Sequence, residues 1–411
     1  MSIAGPGAAT MTAGRPHSSW LFVAIVLVGL NLRGPIVAVS PVLDDIRHDL
    51  AVTSASAGLL TTVPVLCFAA VSPAVALLAR RAGANGAVAL SLAVLAVAVA
   101  LRPWAGFGLM IVATVFLGAA IAVGNVLLPV IVRRDFPRRP GPALSASTTS
   151  LIVSAAIPAL LTAPLASLLG WRAALAVWAG LVVVALVFWW TTYMSARSPS
   201  TASVNPASAE DGAPLPAAPA SKVAVWRAPA AWELGLFFGL QSLLFYATTA
   251  WLPTVLRDAG LDATAAGSAL SLLQLLGIAG AIAVPMIIGR MTIRYATAAV
   301  LAGLWIVLLA GVALAPEVWI LWCLLGGVGQ GGSLALGLSL IALRSTGPDA
   351  ARNVSAMVQT VGYSLGAAGP VLVGSIHAAT DGWSMPLYAL IALAVACGVM
   401  GVRAASPRTI S

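Results

Sequence analysis

Long apolar runs separated by short polar segments dominate the pattern along the chain. Most of them exceed the roughly 20 residues with which an α-helix crosses a bilayer. A transmembrane strand needs only about half that length, so the pattern predicts helices. The twelve predicted spans lie near residues 20–43, 55–79, 86–103, 106–132, 143–168, 171–194, 230–255, 263–289, 295–315, 317–343, 352–376 and 383–403.

Three segments differ from these runs in composition. Residues 1–18 and 404–411 are short polar tails, and we expect the first to be disordered. Residues 195–229 are rich in Ser, Ala and Pro and carry scattered charges, which is typical of a linker. The pattern therefore predicts an all-α membrane protein with an N-terminal six-helix half at 19–194 and a C-terminal six-helix half at 230–403.

The composition agrees with a multi-pass protein of the plasma (inner) membrane. The chain is 60% hydrophobic and 8% charged, whereas soluble domains carry about 25% charged residues. If both termini are cytoplasmic, four of the 21 Lys and Arg residues (Arg47, Arg102, Arg172 and Arg257) lie in outer loops, Arg33 lies in a span, and the other 16 are cytoplasmic. This bias accounts for the net charge of +9 without nucleic-acid binding.

The two halves resemble each other at a nearly constant spacing. Matching strings recur 208 to 212 residues apart: Gly29-Leu30-Asn31 with Gly239-Leu240-Gln241, Ala57-Gly58 with Ala266-Gly267, Leu117-Gly118 with Leu325-Gly326, Ser145-Ala146 with Ser355-Ala356, and Pro158 and Trp171 with Pro370 and Trp383. Parallel repeats imply a pseudo-two-fold axis along the membrane normal. We therefore expect a solute site near the midplane, between the halves, that opens to each side in turn.

Arg33 lies in the middle of the first span and is the only Lys or Arg that this topology places deep in the membrane. A guanidinium there costs about 2.5–3.5 kcal/mol on insertion scales, and Arg does not lose its proton. Pro35 lacks an N–H, so the Asn31 carbonyl loses its partner and the helix bends. We expect Arg33 to hold an anionic or strongly polar solute. The alternative is a structural role, in which Arg33 donates to carbonyls of neighbouring helices.

Polar side chains in other spans are further candidates for solute binding. They are Gln241 and Tyr246 in the seventh span, Gln330 in the tenth, and Gln359 and Tyr363 in the eleventh. Gln359 and Tyr363 are four residues apart and share a helix face. Each candidate could instead hydrogen-bond a neighbouring helix. Weaker candidates are Asn125, Thr148, Thr149, Ser150 and Gln274.

Basic residues follow the second and eighth spans at equivalent places. Arg80, Arg81 and Gly83 follow the second span, and Arg290 and Arg294 follow the eighth. We expect the arginines to cap carbonyl ends of helices, to bind anionic headgroups, or to latch the cytoplasmic side shut.

Motifs for catalysis or cofactor binding are absent from the sequence, so we expect neither an enzyme nor a bound cofactor. There is no ATP-binding module, which leaves gradient-driven or facilitated transport. No Asp or Glu lies deep in a span, and Glu233 is the nearest. This favours facilitated transport, exchange or a proton carried by the solute, while proton coupling stays open. We expect a monomer.

Over its whole length the chain resembles the major facilitator superfamily, in its two six-helix halves, its long middle loop and its basic turns. The loop signature of that superfamily, G-x-x-x-D-R-x-G-R-R, matches poorly. When Gly83 is aligned with the signature, Arg80 stands where the Asp belongs. The latch chemistry that the superfamily implies is therefore in doubt for this chain.

Three strings resemble the cyanate permease and 2-nitroimidazole transporter family (CynX/NimT). They are Asn31-Leu32-Arg33, then Phe238-Gly239-Leu240-Gln241-Ser242 with Phe245-Tyr246 and Trp251-Leu252-Pro253, and finally Gln359-x-x-Gly362-Tyr363 with Gly369-Pro370. The resemblance implies transport of a small polar or anionic solute, cyanate-like or nitroimidazole-like. The site positions that it implies are Arg33, Gln241, Tyr246, Gln359 and Tyr363. Asn31 and Trp251, which lie in the same strings, are further candidates for the site. Alternatives are a multidrug efflux transporter with a broad aromatic pocket, and a solute sensor without flux.

Overall fold

The computed structural model describes residues 17–104, 106–136, 140–194, 222–288, 291–346 and 348–410, which are almost entirely helical. The helices are α1 (His17–Gly29), α2 (Gly34–Val37), α3 (Leu43–Asp49), α4 (Ser54–Leu101), α5 (Phe107–Asp135), α6 (Pro140–Ala176), α7 (Trp178–Trp189), α8 (Lys222–Arg227), α9 (Pro229–Asp258), α10 (Ala263–Ile287), α11 (Met291–Leu314), α12 (Trp319–Arg344), α13 (Pro348–Thr380) and α14 (Ser384–Ala404). Residues 17–194 are called the N-terminal half below, and residues 222–410 the C-terminal half. The all-α prediction is confirmed.

Ten segments of the described residues are long and apolar enough to cross a membrane, two fewer than the sequence predicts. One of them, Thr149–Tyr193, has 45 residues, about twice the length that one crossing needs. A shorter apolar segment, Ser54–Phe68, is not among the ten. The predicted spans near 143–168 and 171–194 thus fall in one counted segment.

Glycines interrupt the two longest helical stretches. Gly83 in α4 has φ 72° and ψ 157°, and Gly170 in α6 has φ 79° and ψ 155°. Positive φ is unfavourable for a residue with a β-carbon, so these positions require glycine. Both interruptions fall where the sequence predicts breaks between spans, at residues 79–86 and 168–171.

The two halves pack through α4 on α13 and through α6 on α10. A β-carbon built on Gly58 would lie 2.8 Å from the Pro370 carbonyl oxygen, and one on Gly267 would lie 2.6 Å from the Ala159 carbonyl oxygen. The two glycines belong to one of the repeat matches. Small residues let helix backbones approach closely within a membrane, which explains why both positions are glycine.

Acidic residues gather at one end of the molecule, which is called the Asp44 end below. The indole of Trp171 donates to Asp49 at 3.2 Å, and that of Trp383 donates to Asp258 at 2.6 Å. The two pairs occupy matching places in the halves, so the repeat seen in the sequence is also present in the fold.

The opposite end carries a cluster of charges around Glu233. Glu233 lies 3.3 Å from the Arg403 Nε and 4.0 Å from Arg344, whose side chain is buried. Arg344 also donates to the Ala404 carbonyl at 2.9 Å, and the Ile410 N–H donates to the Arg344 carbonyl at 2.6 Å. The predicted tail 404–411 therefore folds back through residue 410 as an ordered segment, because the buried arginine needs its carbonyls.

The predicted linker and N-terminal tail lie largely outside the described residues. Of the predicted linker, only residues 222–229 are described, and they contain α8. The Trp232 indole donates to the Trp226 carbonyl at 2.8 Å, and the two rings meet edge to face at 5.9 Å. This packing accompanies a short helix at the end of the predicted linker.

Candidate functional site

The first span is broken beside Arg33. α1 ends at Gly29 and α2 begins at Gly34, and Arg33 has φ −127° and ψ −31°, outside the helical range. The N–H groups of Arg33 and Gly34 both donate to the Ser154 hydroxyl of α6, at 3.2 and 2.8 Å. The predicted bend at this point is confirmed, and a side chain from a neighbouring helix binds the backbone groups that it frees.

The Arg33 guanidinium lies against an aromatic ring and has its hydrogen-bonding capacity free. Its Cζ is 5.3 Å from the centroid of the Phe245 ring, a cation–π distance. Among the described residues, no acceptor or carboxylate pairs with this guanidinium, which carries five N–H donors. The alternative in which Arg33 donates to carbonyls of neighbouring helices is therefore not the arrangement observed.

Arg33 opens onto a small cavity between the halves. The cavity measures about 30 Å³, which is space for one or two water molecules. Its lining consists of Arg33, Gln241, Ser242, Phe245, Tyr246, Gln330, Leu334 and Tyr363. Five of the eight predicted solute-binding residues thus come together, and Arg33 is the one N-terminal-half residue in this described lining.

Side-chain amides form a directed chain beside the cavity. Gln330 Nε2 donates to Gln274 Oε1 at 3.1 Å, and Gln274 Nε2 donates to the Thr249 hydroxyl at 3.4 Å. Within the described residues, the buried Oε1 of Gln330 has no hydrogen-bond partner. Gln241 Nε2 donates to the neighbouring Ser242 hydroxyl at 2.9 Å. The cavity therefore presents unpaired donors on Arg33 and an unpaired acceptor on Gln330.

Two tyrosines complete the lining within aromatic clusters. The Tyr246 ring meets Phe245 at 4.9 Å, and the Tyr363 ring meets Phe238 and Phe68 at 6.1 Å, all edge to face. Phe68 belongs to α4 of the N-terminal half, so Tyr363 also contacts the opposite half. Edge-to-face contacts of this kind fix the ring planes and hence the positions of both hydroxyls.

Ser242, Phe245 and Leu334 are lining residues that the sequence reasoning did not choose. A usable signal exists for the two on α9, because Gln241 and Phe245 are four residues apart, as are Ser242 and Tyr246. One helical face therefore carries all four side chains. Leu334 follows Gln330 by one turn of α12, so the same rule applies to it.

Asn31 and Trp251 do not line the cavity. Asn31 is 1% exposed and donates to the Leu27 carbonyl at 2.8 Å, because the break at Arg33 turns its side chain back along α1. The Trp251 indole donates to the Pro370 carbonyl at 2.8 Å and so joins α9 to α13. In this conformation both side chains make contacts within the protein, and their contact with solute stays a prediction.

Gln359 also lies away from the cavity. Its Nε2 donates to the Ser355 hydroxyl at 2.7 Å, one turn earlier on α13. Gln359 lies one turn before Tyr363 on the same face of α13, as predicted. At that level of the helix its side chain does not line the cavity.

A second arginine lies behind the broken segment. Arg102 is 2% exposed, and its Nη2 donates to the Pro35 carbonyl at 3.1 Å. That carbonyl is available because the Val39 N–H bonds Ile36 instead, at 3.4 Å. Arg102 lies in the 3-10 turn Arg102–Trp104, where the sequence predicts an outer loop, but its side chain is buried. The 3-10 turn after α4 directs the Arg102 side chain inward.

The predicted latch residues differ in how far the structure describes them. Arg81 is exposed, and Gly83 forms the interruption in α4. Arg294 donates from Nε to the Ile288 carbonyl at 2.9 Å and thereby caps the end of α10, one of the roles expected of it. Arg290 and the side chain of Arg80 lie outside the described residues.

Comparisons with known proteins agree with this fold. Residues 20–370 match the Major Facilitator Superfamily. The chain is 34% identical over 398 residues to the uncharacterized transporter YycB of Bacillus subtilis strain 168, covering 96% of this chain and 95% of that protein. It is 33% identical over 391 residues to the 2-nitroimidazole transporter of Escherichia coli strain K12, covering 95% and 96%.

A more distant relative and a solved structure extend the comparison. The cyanate transport protein CynX of Escherichia coli strain K12 is 27% identical over 367 residues, with 89% of this chain and 92% of that protein covered. A bacterial homologue of the human lysosomal transporter Spinster, solved in an inward-facing, unoccupied conformation, superposes with a TM-score of 0.77 at 15% identity, covering 95% of this chain and 97% of its own. The chain belongs to the Major Facilitator Superfamily, in the branch of the CynX/NimT-type transporters.

Proposed function

We propose that the chain is a twelve-helix secondary active or facilitative transporter that moves a small polar or anionic solute across the plasma membrane. Ten spans are counted in the described residues, and Thr149–Tyr193 is long enough for two crossings. Ser54–Phe68 supplies the twelfth when α4 is divided at Gly83. The excess of Lys and Arg at the opposite end from Asp44 supports cytoplasmic termini and an outward-facing Asp44 end.

The observation that carries the proposal is the unpaired guanidinium of Arg33 in a cavity between the halves. A charge in such a cavity interacts strongly with an anion, although desolvating both partners offsets much of the gain. Arg33 supplies charge and up to two parallel donors to a planar anion. Gln241, Tyr246 and Tyr363 supply hydrogen bonds from the C-terminal half, opposite Arg33.

Alternating access follows from the size of the cavity and the contacts at the Asp44 end. About 30 Å³ is too small for a nitroimidazole, so the halves must separate to admit one. At the Asp44 end, Arg257 lies 3.9 Å from Asp44 and 3.5 Å from Asp45, across the interface. These ion pairs support a conformation in which the outer side is closed.

The coupling mode that we propose is facilitated transport, exchange, or a proton carried by the solute. The described residues that line the cavity include no Asp or Glu. Glu233, the nearest acid considered in the sequence, pairs with Arg403 and Arg344 at the end of the molecule. A carboxylate held in this way is poorly placed to carry protons past the solute.

The names of the relatives agree with the proposed solute class, since one transports 2-nitroimidazole and another cyanate. Both compounds are small and polar, and the negative charge of cyanate suits the positive charge of Arg33. The polar side chains of the cavity lining do not favour the alternative of a multidrug transporter with a broad aromatic pocket.

Uptake by proteoliposomes tests the proposal. We expect Arg33→Ala to weaken uptake of 2-nitroimidazole or cyanate by on the order of 10- to 100-fold, because a hydrogen bond to a charged group is lost. Arg33→Lys also lacks the paired N–H donors, so we expect it to weaken uptake as well. Arg227→Ala is the matched control, since Arg227 is exposed on α8 and does not line the cavity. Unchanged uptake by Arg33→Ala contradicts the proposal.

A further inference from the structure

In this structure the amide chain beside the cavity leaves the carbonyl oxygen of Gln330 without a partner among the described residues. Its Nε2 is committed to Gln274, whose own Nε2 is committed to Thr249, at 3.1 and 3.4 Å. A carbonyl oxygen accepts and cannot donate, so the Oε1 that remains is an acceptor only. This atom is buried and unpaired among the described residues, and Gln330 is 7% exposed. Buried polar atoms normally have partners, which points to a donor that the protein does not supply.

Arg33 imposes the opposite requirement on the same cavity. Its guanidinium has five donors and no acceptor, and within the described residues it has no hydrogen-bonded partner. The hydroxyls of Ser242, Tyr246 and Tyr363 can both donate and accept, so they impose no direction. A solute therefore fits this cavity when its acceptor atoms lie toward Arg33 and its hydrogen-bond donor lies toward Gln330.

We propose that Gln330 makes the transporter select solutes that carry a hydrogen-bond donor beside their anionic or acceptor group. Heterocycles with a free N–H and small hydroxy acids meet this requirement. Anions without a donor, such as cyanate and acetate, leave the Gln330 oxygen buried and unpaired, which weakens their binding. The inference rests on the proposed function, because it assumes that Arg33 holds the acceptor end of the solute.

Matched pairs of probes on the purified full-length protein test the inference. Isothermal titration calorimetry compares 2-nitroimidazole with its 1-methyl derivative, and glycolate with acetate. Within each pair the first member has a donor and the second lacks it. We expect the donor-bearing member to bind about tenfold more tightly in both pairs, since one buried acceptor gains or loses its partner.

Substitutions at Gln330 and Gln274 show whether the amide chain causes this ratio. Gln330→Met removes the acceptor while keeping the side-chain length, and we expect the ratio to fall below about threefold through weaker binding of the donor-bearing member. Gln274→Met releases the Gln330 amide to rotate, so the ratio falls there too. This second variant keeps the test available if Gln330→Met does not fold. Tyr363→Phe is the matched control, because the hydroxyl that it removes can both donate and accept, and it lowers both affinities while preserving the ratio.

The outcomes separate the inference from the proposed function. Equal affinities within both pairs in the native protein, or tighter binding of the donor-free members, overturn the inference. The second result means that Gln330 presents its amide nitrogen to the solute. A ratio that survives in both Gln330→Met and Gln274→Met also overturns it. Unchanged binding of all probes by Arg33→Ala overturns the proposed function instead, and a native protein that binds none of the probes contradicts both.

Discussion

Gly58 and Gly267 make equivalent contacts in the interface between the halves. Each brings its helix against a carbonyl of the opposite half: Gly58 of α4 against Pro370 of α13, and Gly267 of α10 against Ala159 of α6. The internal repeat relates the two contacts to each other. A glycine therefore permits the same close approach of helices on both sides of the pseudo-two-fold axis.

Adding a methyl group at either glycine should open this interface. A β-carbon at Gly58 or Gly267 would lie 2.8 or 2.6 Å from a backbone oxygen, closer than real contacts allow, so the backbones must separate. We expect Gly58→Ala and Gly267→Ala each to lower the population of the closed conformation, and the double variant to lower it further. Distances between spin labels at His48 and Ala259, exposed residues at the Asp44 end, measure this population.

A glycine without neighbours supplies the control for these variants. A β-carbon at Gly180 would meet no atom within 4 Å, so Gly180→Ala should leave the label distances unchanged. Distances that stay the same in Gly58→Ala and Gly267→Ala would show that the interface has room for both methyl groups.

Much of the site was predictable because the repeat and the depth of each span bring Arg33, Gln241, Gln330 and Tyr363 to the same level. The errors concern rotation and local folding. Asn31 points away since the helix breaks just before Arg33, and hydrophobic periodicity does not report the rotation of a broken segment. Arg102 lies between two helices, as predicted, but the end of an apolar run does not show that the 3-10 turn there buries its guanidinium.

The ion pair between Arg257 and the acids of α3 should stabilise the closed Asp44 end only weakly. Arg257 lies 3.9 Å from Asp44 and 3.5 Å from Asp45, and its side chain is 28% exposed. Exposed pairs contribute about 0–1 kcal/mol, so Arg257→Gln should shift the conformational equilibrium by no more than about fivefold. High salt should reduce the difference between this variant and the native protein. The same spin-label distances, recorded at low and high salt, check both effects.

Arg172 is the control for Arg257, because it forms an ion pair with Asp49 inside one half. Arg172→Gln removes a similar surface charge without touching the interface. An equal shift in the two variants would mean that net charge at the Asp44 end, and not the pair across the interface, sets the equilibrium.

Removing Arg102 should destabilise the protein more than removing an exposed arginine. In Arg102→Met the Pro35 carbonyl loses its partner at 3.1 Å and stays buried, which costs about 1–3 kcal/mol. We expect Arg102→Met in detergent to unfold at a temperature a few degrees below that of the native protein. The unfolding temperature of Arg81→Met should equal the native value. We also expect a higher KM for the solute, since Pro35 lies two residues after Arg33. An unfolding temperature equal to the native value would show that Arg102 does not hold the broken segment.

Glu233 should matter for stability and not for proton coupling. It is the carboxylate that faces Arg344, Arg403 and Arg408, at 4.0, 3.3 and 3.8 Å, and Arg344 is 2% exposed. Glu233→Gln leaves the buried Arg344 without the counter-charge that lies 4.0 Å away, which destabilises the folded state. We expect a clearly lower unfolding temperature, while a pH-sensitive dye inside proteoliposomes records the same proton movement per solute as in the native protein. Arg403→Gln, which removes an exposed partner, should cost much less. A loss of proton movement in Glu233→Gln without a loss of stability would instead make this carboxylate the proton carrier.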